Sequence, residues 1–145
     1  MRSAVLLALA ICLAPPALAW EAGVEGRLCT LEHSGAAADV RLTYDPAGPE
    51  YTIALSRAEP WPEAAIFAMQ FEGPRGLTIQ TTRHRLSADG RTVSVADRGF
   101  GNVLDGLEFN AVARGMLGDS DVDISLDGAA PEVAAFRACL MAPSA

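Results

Sequence analysis

Residues 39–56 read DVRLTYDPAGPEYTIALS, and their period decides the fold. Val40, Leu42 and Tyr44 alternate with Asp39, Arg41 and Thr43. Tyr51, Ile53 and Leu55 alternate with Thr52, Ala54 and Ser56. A period of two puts successive side chains on opposite faces of a strand, so each run reads as half-buried. Between them DPAGPE holds two prolines and a glycine, the residues of a turn. Two such runs joined by a turn make an antiparallel hairpin.

The same period continues on both sides. Leu28, Thr30 and Glu32 oppose Cys29 and Leu31 in a strand that His33, Ser34 and Gly35 end. Trp61 stands between Pro60 and Pro62, where no regular helix forms; it either caps the core or makes an exposed contact. Phe67, Met69 and Phe71 alternate with Ile66, Ala68 and Gln70. That strand is apolar on both sides at its start, which places it inside a sheet. Gly73-Pro74-Arg75-Gly76 turns the chain. Asp89-Gly90 signals a two-residue hairpin that pairs Leu86 with Val93 and His84 with Val95. Leu86 then has the opposite parity from Leu77 and Ile79, so a bulge or break is expected within 81–85. Leu107, Phe109, Ala111 and Ala113 share one side of a predicted strand over 107–114. Val122, Ile124 and Leu126 alternate with Asp121, Asp123 and Ser125 in the last strand.

At 131–140, PEVAAFRACL, the period lengthens to that of a helix. Val133, Phe136 and Leu140 form its apolar face, and Pro131 suits the first helical position. Glu132 in the first turn and Arg137 in the last favour the helix dipole. The expected fold is mainly β: a small antiparallel β-sandwich or open barrel of about eight strands with one C-terminal helix.

Residues 1–19 have the form of a signal peptide. Met1-Arg2-Ser3 is a short basic start, 4–13 an apolar run, Pro15-Pro16 a breaker and Ala17-Leu18-Ala19 a small-residue cleavage site. Residues 20–145 are then a single β domain outside the cytoplasm, in the periplasm. Cys12 raises a lipoprotein alternative, which the bulky Ile11 before it disfavours. No later run is long enough to span a bilayer.

Cleavage after Ala19 leaves ten arginines against 18 acids, a net charge of −8, and the chain has no lysine. That charge disfavours nonspecific binding to nucleic acid or anionic lipid. Lysine-dependent chemistry, a P-loop or a Schiff base, is excluded. Beyond the leader two cysteines remain, Cys29 and Cys139, and in an exported chain they are expected to pair.

Four places carry candidate chemistry. Arg75, Arg83, Arg85, Arg91 and Arg98 crowd one segment together with His84, either as an anion site or as a solvated edge paired with Glu72, Asp89 and Asp97. His84 with Asp97 and Ser94 fails the geometry of a triad, since Ser94 points away from it in the expected register. Residues 97–110, DRGFGNVLDGLEFN, supply Asp97, Asn102, Asp105, Glu108 and Asn110. They line a pocket, or form a structural corner in which Phe100 plugs the core and the glycines permit the backbone. Asn102 is expected to cap a single helical turn over 103–105, stopped by Gly106. Asp119, Asp121 and Asp123 open like a calcium loop, but the glycine and glutamate that pattern needs are replaced by Ile124 and Ala130. No metal set and no cofactor motif is present.

The segments Tyr44-Asp45-Pro46, Tyr51-Thr52-Ile53, Asp97-Arg98-Gly99-Phe100-Gly101-Asn102-Val103-Leu104 and Ala135-Phe136-Arg137-Ala138-Cys139 resemble a family of small exported proteins of alphaproteobacteria. The likeness covers nearly all of 20–145 and is most specific in the glycine-rich loop. It implies no catalytic residues. Some members carry the transferred name of an excinuclease component, a role that an acidic, exported chain without lysine does not fit. A fainter likeness in general layout is to the invasion-associated locus B proteins.

The expected function is a non-catalytic periplasmic module that binds an envelope protein or a small ligand. Its site would comprise Arg83, His84, Arg85, Asp97, Asn102 and Asp105. The alternative is a small hydrolase using Asp105 or Glu108 as base. Mass spectrometry of the natively exported protein should find an N-terminus at Trp20; a start at Met1 or an acylated Cys12 contradicts the leader.

Overall fold

The computed structural model describes residues 10–12 and 20–142, so most of the expected leader lies outside the described residues. Among the described residues ten strands and two helices follow in order: β1 Trp20–Glu25, β2 Leu28–Ser34, β3 Asp39–Asp45, β4 Glu50–Ser56, β5 Phe67–Glu72, β6 Leu77–Thr81, β7 Arg85–Leu86, β8 Thr92–Asp97, α1 Gly101–Phe109, β9 Val112–Leu117, β10 Ser120–Ser125 and α2 Ala129–Met141. They form two antiparallel sheets, one ordered β1-β2-β3-β4-β8-β7 and the other β10-β9-β5-β6. The sheets do not close into a barrel. The fold is mainly β, as the period of two requires.

The hairpin of β3 and β4 pairs Leu42 with Ile53 and Tyr44 with Tyr51. Leu42, Ile53 and Leu55 are buried on the inner face of the larger sheet. From the other sheet Phe67, Met69, Phe71, Ala113, Leu117, Val122 and Ile124 face them. β5 lies between β9 and β6, the interior place that its two-sided apolar start implies. Trp61 is buried and caps the core; its indole donates to Leu55 O at 3.3 Å, and Arg57 lies over its ring.

The expected break is present. β6 belongs to the smaller sheet and β7 to the larger, so 82–84 carry the chain from one sheet to the other. Leu86 pairs with Val93 as expected, but β7 begins only at Arg85, and His84 pairs with nothing in the ladder. The turn also sits one residue early: Gly90 N–H donates to Ser87 O at 2.9 Å, and Gly90 takes φ 72°, which glycine alone adopts freely.

Three expectations need correction. β1 adds a strand at the edge of the larger sheet that alternation does not reveal. Its Trp20 is buried, stacks on His33 at 4.6 Å and donates from Nε1 to Ser125 O at 2.9 Å, linking the outer edges of the two sheets. The single turn expected at 103–105 is the nine-residue helix α1, and it runs through Gly106 into the span predicted as strand. A Cβ at Gly106 would overlap the Phe71 ring, so glycine here lets the helix lie close against β5 and does not stop it. The following strand therefore begins at Val112. Finally, α2 begins at Ala129, with Pro131 third in the helix, still among the first-turn positions whose N–H groups have no intrahelical partner.

Cys29 and Cys139 are bonded, with Cα atoms 6.0 Å apart. The bond ties α2 to β2 across 110 residues. Glu132 in the first turn of α2 accepts the Ala22 N–H of β1 at 2.9 Å. Arg137 does not serve its own helix end. It reaches α1, with Asp105 at 2.6 Å and Glu108 at 3.0 Å. Replacing both Cys29 and Cys139 by serine should lower unfolding free energy by up to about 4–5 kcal/mol, the chain-entropy value for a loop of this length. Denaturant unfolding of the variant and the parent protein measures it.

Candidate functional site

Between the sheets a cavity of about 470 Å³ opens toward solvent. Ile53 and Val95 line it from β4 and β8, and Phe67, Met69 and Ile79 from β5 and β6. Phe100 and Val103, at the entry to α1, form a third wall. Ile53, Phe67, Met69, Phe100 and Val103 are buried, so the floor is apolar. Gln80, Arg83, Gly99, Gly101 and Asn102 are exposed, so the polar groups collect at the mouth.

The wall at 97–103 is both corner and lip. Phe100 is buried and stacks on Tyr51 at 5.3 Å; Tyr51 in turn meets Tyr44 at 4.6 Å. Burial of the Tyr51 phenol, and then the nearby Tyr44, raise its pKa above the usual tyrosine value. The expectation that the glycines permit the backbone is not met at Gly99 and Gly101. Neither has a positive φ, and a Cβ on either would have nothing within 4 Å. What their missing side chains leave is open space beside the mouth.

Of the expected site residues the structure brings three together. Arg83, Asp97 and Asn102 all line the cavity. Arg83 Nη2 donates to Asp97 Oδ2 at 3.0 Å, while Asp97 Oδ1 accepts the Arg98 N–H at 2.7 Å. The other three lie elsewhere. Arg85 is exposed and pairs in register with Ser94, on the outward face of the larger sheet. His84 is half-buried beside Phe67, and its Nε2–H donates to Ala64 O at 3.0 Å. A carbonyl only accepts, so Nε2 carries a proton. Asp105 does not line the cavity but pairs with Arg137, as does Glu108. The two carboxylates of the hydrolase reading thus join two helices and are not assembled with His84.

The apolar lining escapes sequence reasoning because a wall residue has the same alternation as a core residue. The one available signal is the parity conflict between Ile79 and Leu86, which marks where the chain leaves one sheet and the cavity opens. Among the described residues, no group of three or more His, Cys, Asp or Glu is placed to hold a metal, and no helix is long and apolar enough to cross a membrane. Asp123 and Asp121, from the segment resembling a calcium loop, face Arg114 at 2.7 and 3.9 Å. No family model, no curated protein and no solved structure matches the chain.

Four scaffold carboxylates are held below their ordinary values by hydrogen-bonded partners. Arg114 does this for Asp123, and Arg27 followed by the Ala47 N–H for Asp45. The Ser87 hydroxyl and then the Arg91 N–H act on Asp89, and Arg41 on Glu25. In the unfolded chain these groups return to ordinary values of 3.8 for aspartate and 4.5 for glutamate, so on acidification the unfolded state takes protons first. The stability they contribute is complete above those values and is lost as pH falls through the lower folded ones. Melting temperature followed by circular dichroism should be flat from about pH 7 to pH 5 and fall below about pH 4.

Proposed function

We propose that this chain is a non-catalytic binding module of the bacterial periplasm that holds a small apolar ligand between its two sheets. One observation carries the reading: a cavity of about 470 Å³ with an apolar floor and a polar mouth. Ligand sites commonly have this size and this distribution of groups. The Cys29–Cys139 bond supports an oxidising compartment.

The test is titration with N-phenyl-1-naphthylamine, a neutral apolar fluorophore. The parent protein should give a saturable, one-to-one rise in fluorescence. Val95→Trp, which fills the cavity from β8, should weaken that binding at least about tenfold. Gly99→Trp at the mouth should do the same without touching the packed core. Absence of saturable binding to the parent protein, or unchanged binding in both folded variants, overturns the proposal.

A further inference from the structure

We infer that the ligand is a single-chain amphiphile with an anionic head, its tail among Met69, Ile79 and Val95 and its head at Arg83. The inference rests on the binding reading above and adds the chemistry of the ligand. Exposure orders the cavity from an apolar floor to a charged lip, which is the order of groups along an amphiphile. The cavity is a single space of about 470 Å³.

The sign of the head follows from the hydrogen bonds at the mouth. Asp97 is engaged on both oxygens, one by Arg83 and one by the Arg98 N–H. Arg83 gives Asp97 a single N–H through Nη2. A guanidinium has five such donors, so most of the donor capacity at the lip is cationic and open. Arg98 adjoins Asp97 at the lip, and no carboxylate lies within ion-pairing distance of its side chain among the described residues. Arg83 and Arg98 against Asp97 leave the mouth with one net positive charge, on a chain whose net charge is −7. The Arg83–Asp97 pair is also easy to rearrange. The two side chains are 70% and 41% exposed, and exposed pairs contribute little to stability. An incoming anion can recruit the guanidinium in a bidentate geometry without breaking anything the fold depends on.

The experiment is displacement of N-phenyl-1-naphthylamine by dodecanoate and by dodecanol, below micellar concentration and at low salt. Dodecanoate should compete about tenfold better than dodecanol, the value of one partly solvated charge-assisted contact. Arg83→Gln should bring dodecanoate and dodecanol to near parity, read as the ratio of their inhibition constants so that any shared change in affinity cancels. Adding dodecyl phosphate as a third competitor separates a carboxylate head from a phosphate head. Equal competition by acid and alcohol in the parent protein, or a preference that survives Arg83→Gln, overturns the anionic head and leaves the cavity reading intact. Failure of the probe to bind the parent protein overturns the cavity reading itself.

Discussion

The bond between Cys29 and Cys139 joins β2 to the far end of α2. It fixes α2 to the larger sheet. α2 is 13 residues long and buries only Ala129, Val133 and Phe136 fully, too little to persist as an isolated helix. It is pinned by the bond at one end and by Glu132 on the Ala22 N–H at the other. From that fixed position Arg137 reaches Asp105 and Glu108 of α1. At nine residues α1 is shorter still, and it stays helical because Phe71 packs under Gly106 and Arg137 clamps its outer side. The N-terminal end of α1 is a wall of the cavity. The covalent bond thus supports the site through α2 and the Arg137 ion pairs to α1, neither of which lines the cavity.

Packing between the sheets is uneven. Leu55 of β4 fills the place where a side chain on Gly115 of β9 would stand, and the Trp61 ring closes the same region. There the sheets are in tight contact. Toward β6 and β8 the space between them is the cavity. The chain crosses between sheets at 82–84, beside this gap. A segment that changes sheets cannot pair with either one, so Arg83 is free of the ladder and able to stand at the mouth. The topology that creates the cavity also puts an arginine at its lip.

The period of two in 39–56 and its neighbours is enough to read most strands and their inward faces, because a half-buried strand must alternate whatever it packs against. α1 is not legible in the same way. Gly106 reads locally as a helix stop, and only the Phe71 ring lying beneath it explains a glycine within a continuing helix. β1 is hidden because Glu21, Gly23 and Glu25 make an ordinary polar run, and the burial of Trp20 depends on Ser125, 105 residues away. Among the site residues, Arg83, Asp97 and Asn102 stand out by charge and turn chemistry, and these do meet. His84, Arg85 and Asp105 stand out only by nearness in sequence, which does not specify which way a side chain points at a strand end or on a helix.

Local order in this chain determined three things: antiparallel strands, a closing helix, and two cysteines able to pair. Each follows from spacing along the backbone or from a count of residue types, and none needs knowledge of distant neighbours. Only the tertiary structure decided that Ile53, Phe67 and Met69 of the core, with the partly buried Ile79 and Val95, also border a cavity. Alternation specifies that a side chain faces the opposite sheet. It does not specify how far away that sheet is, and that separation is set by every contact between the two layers at once.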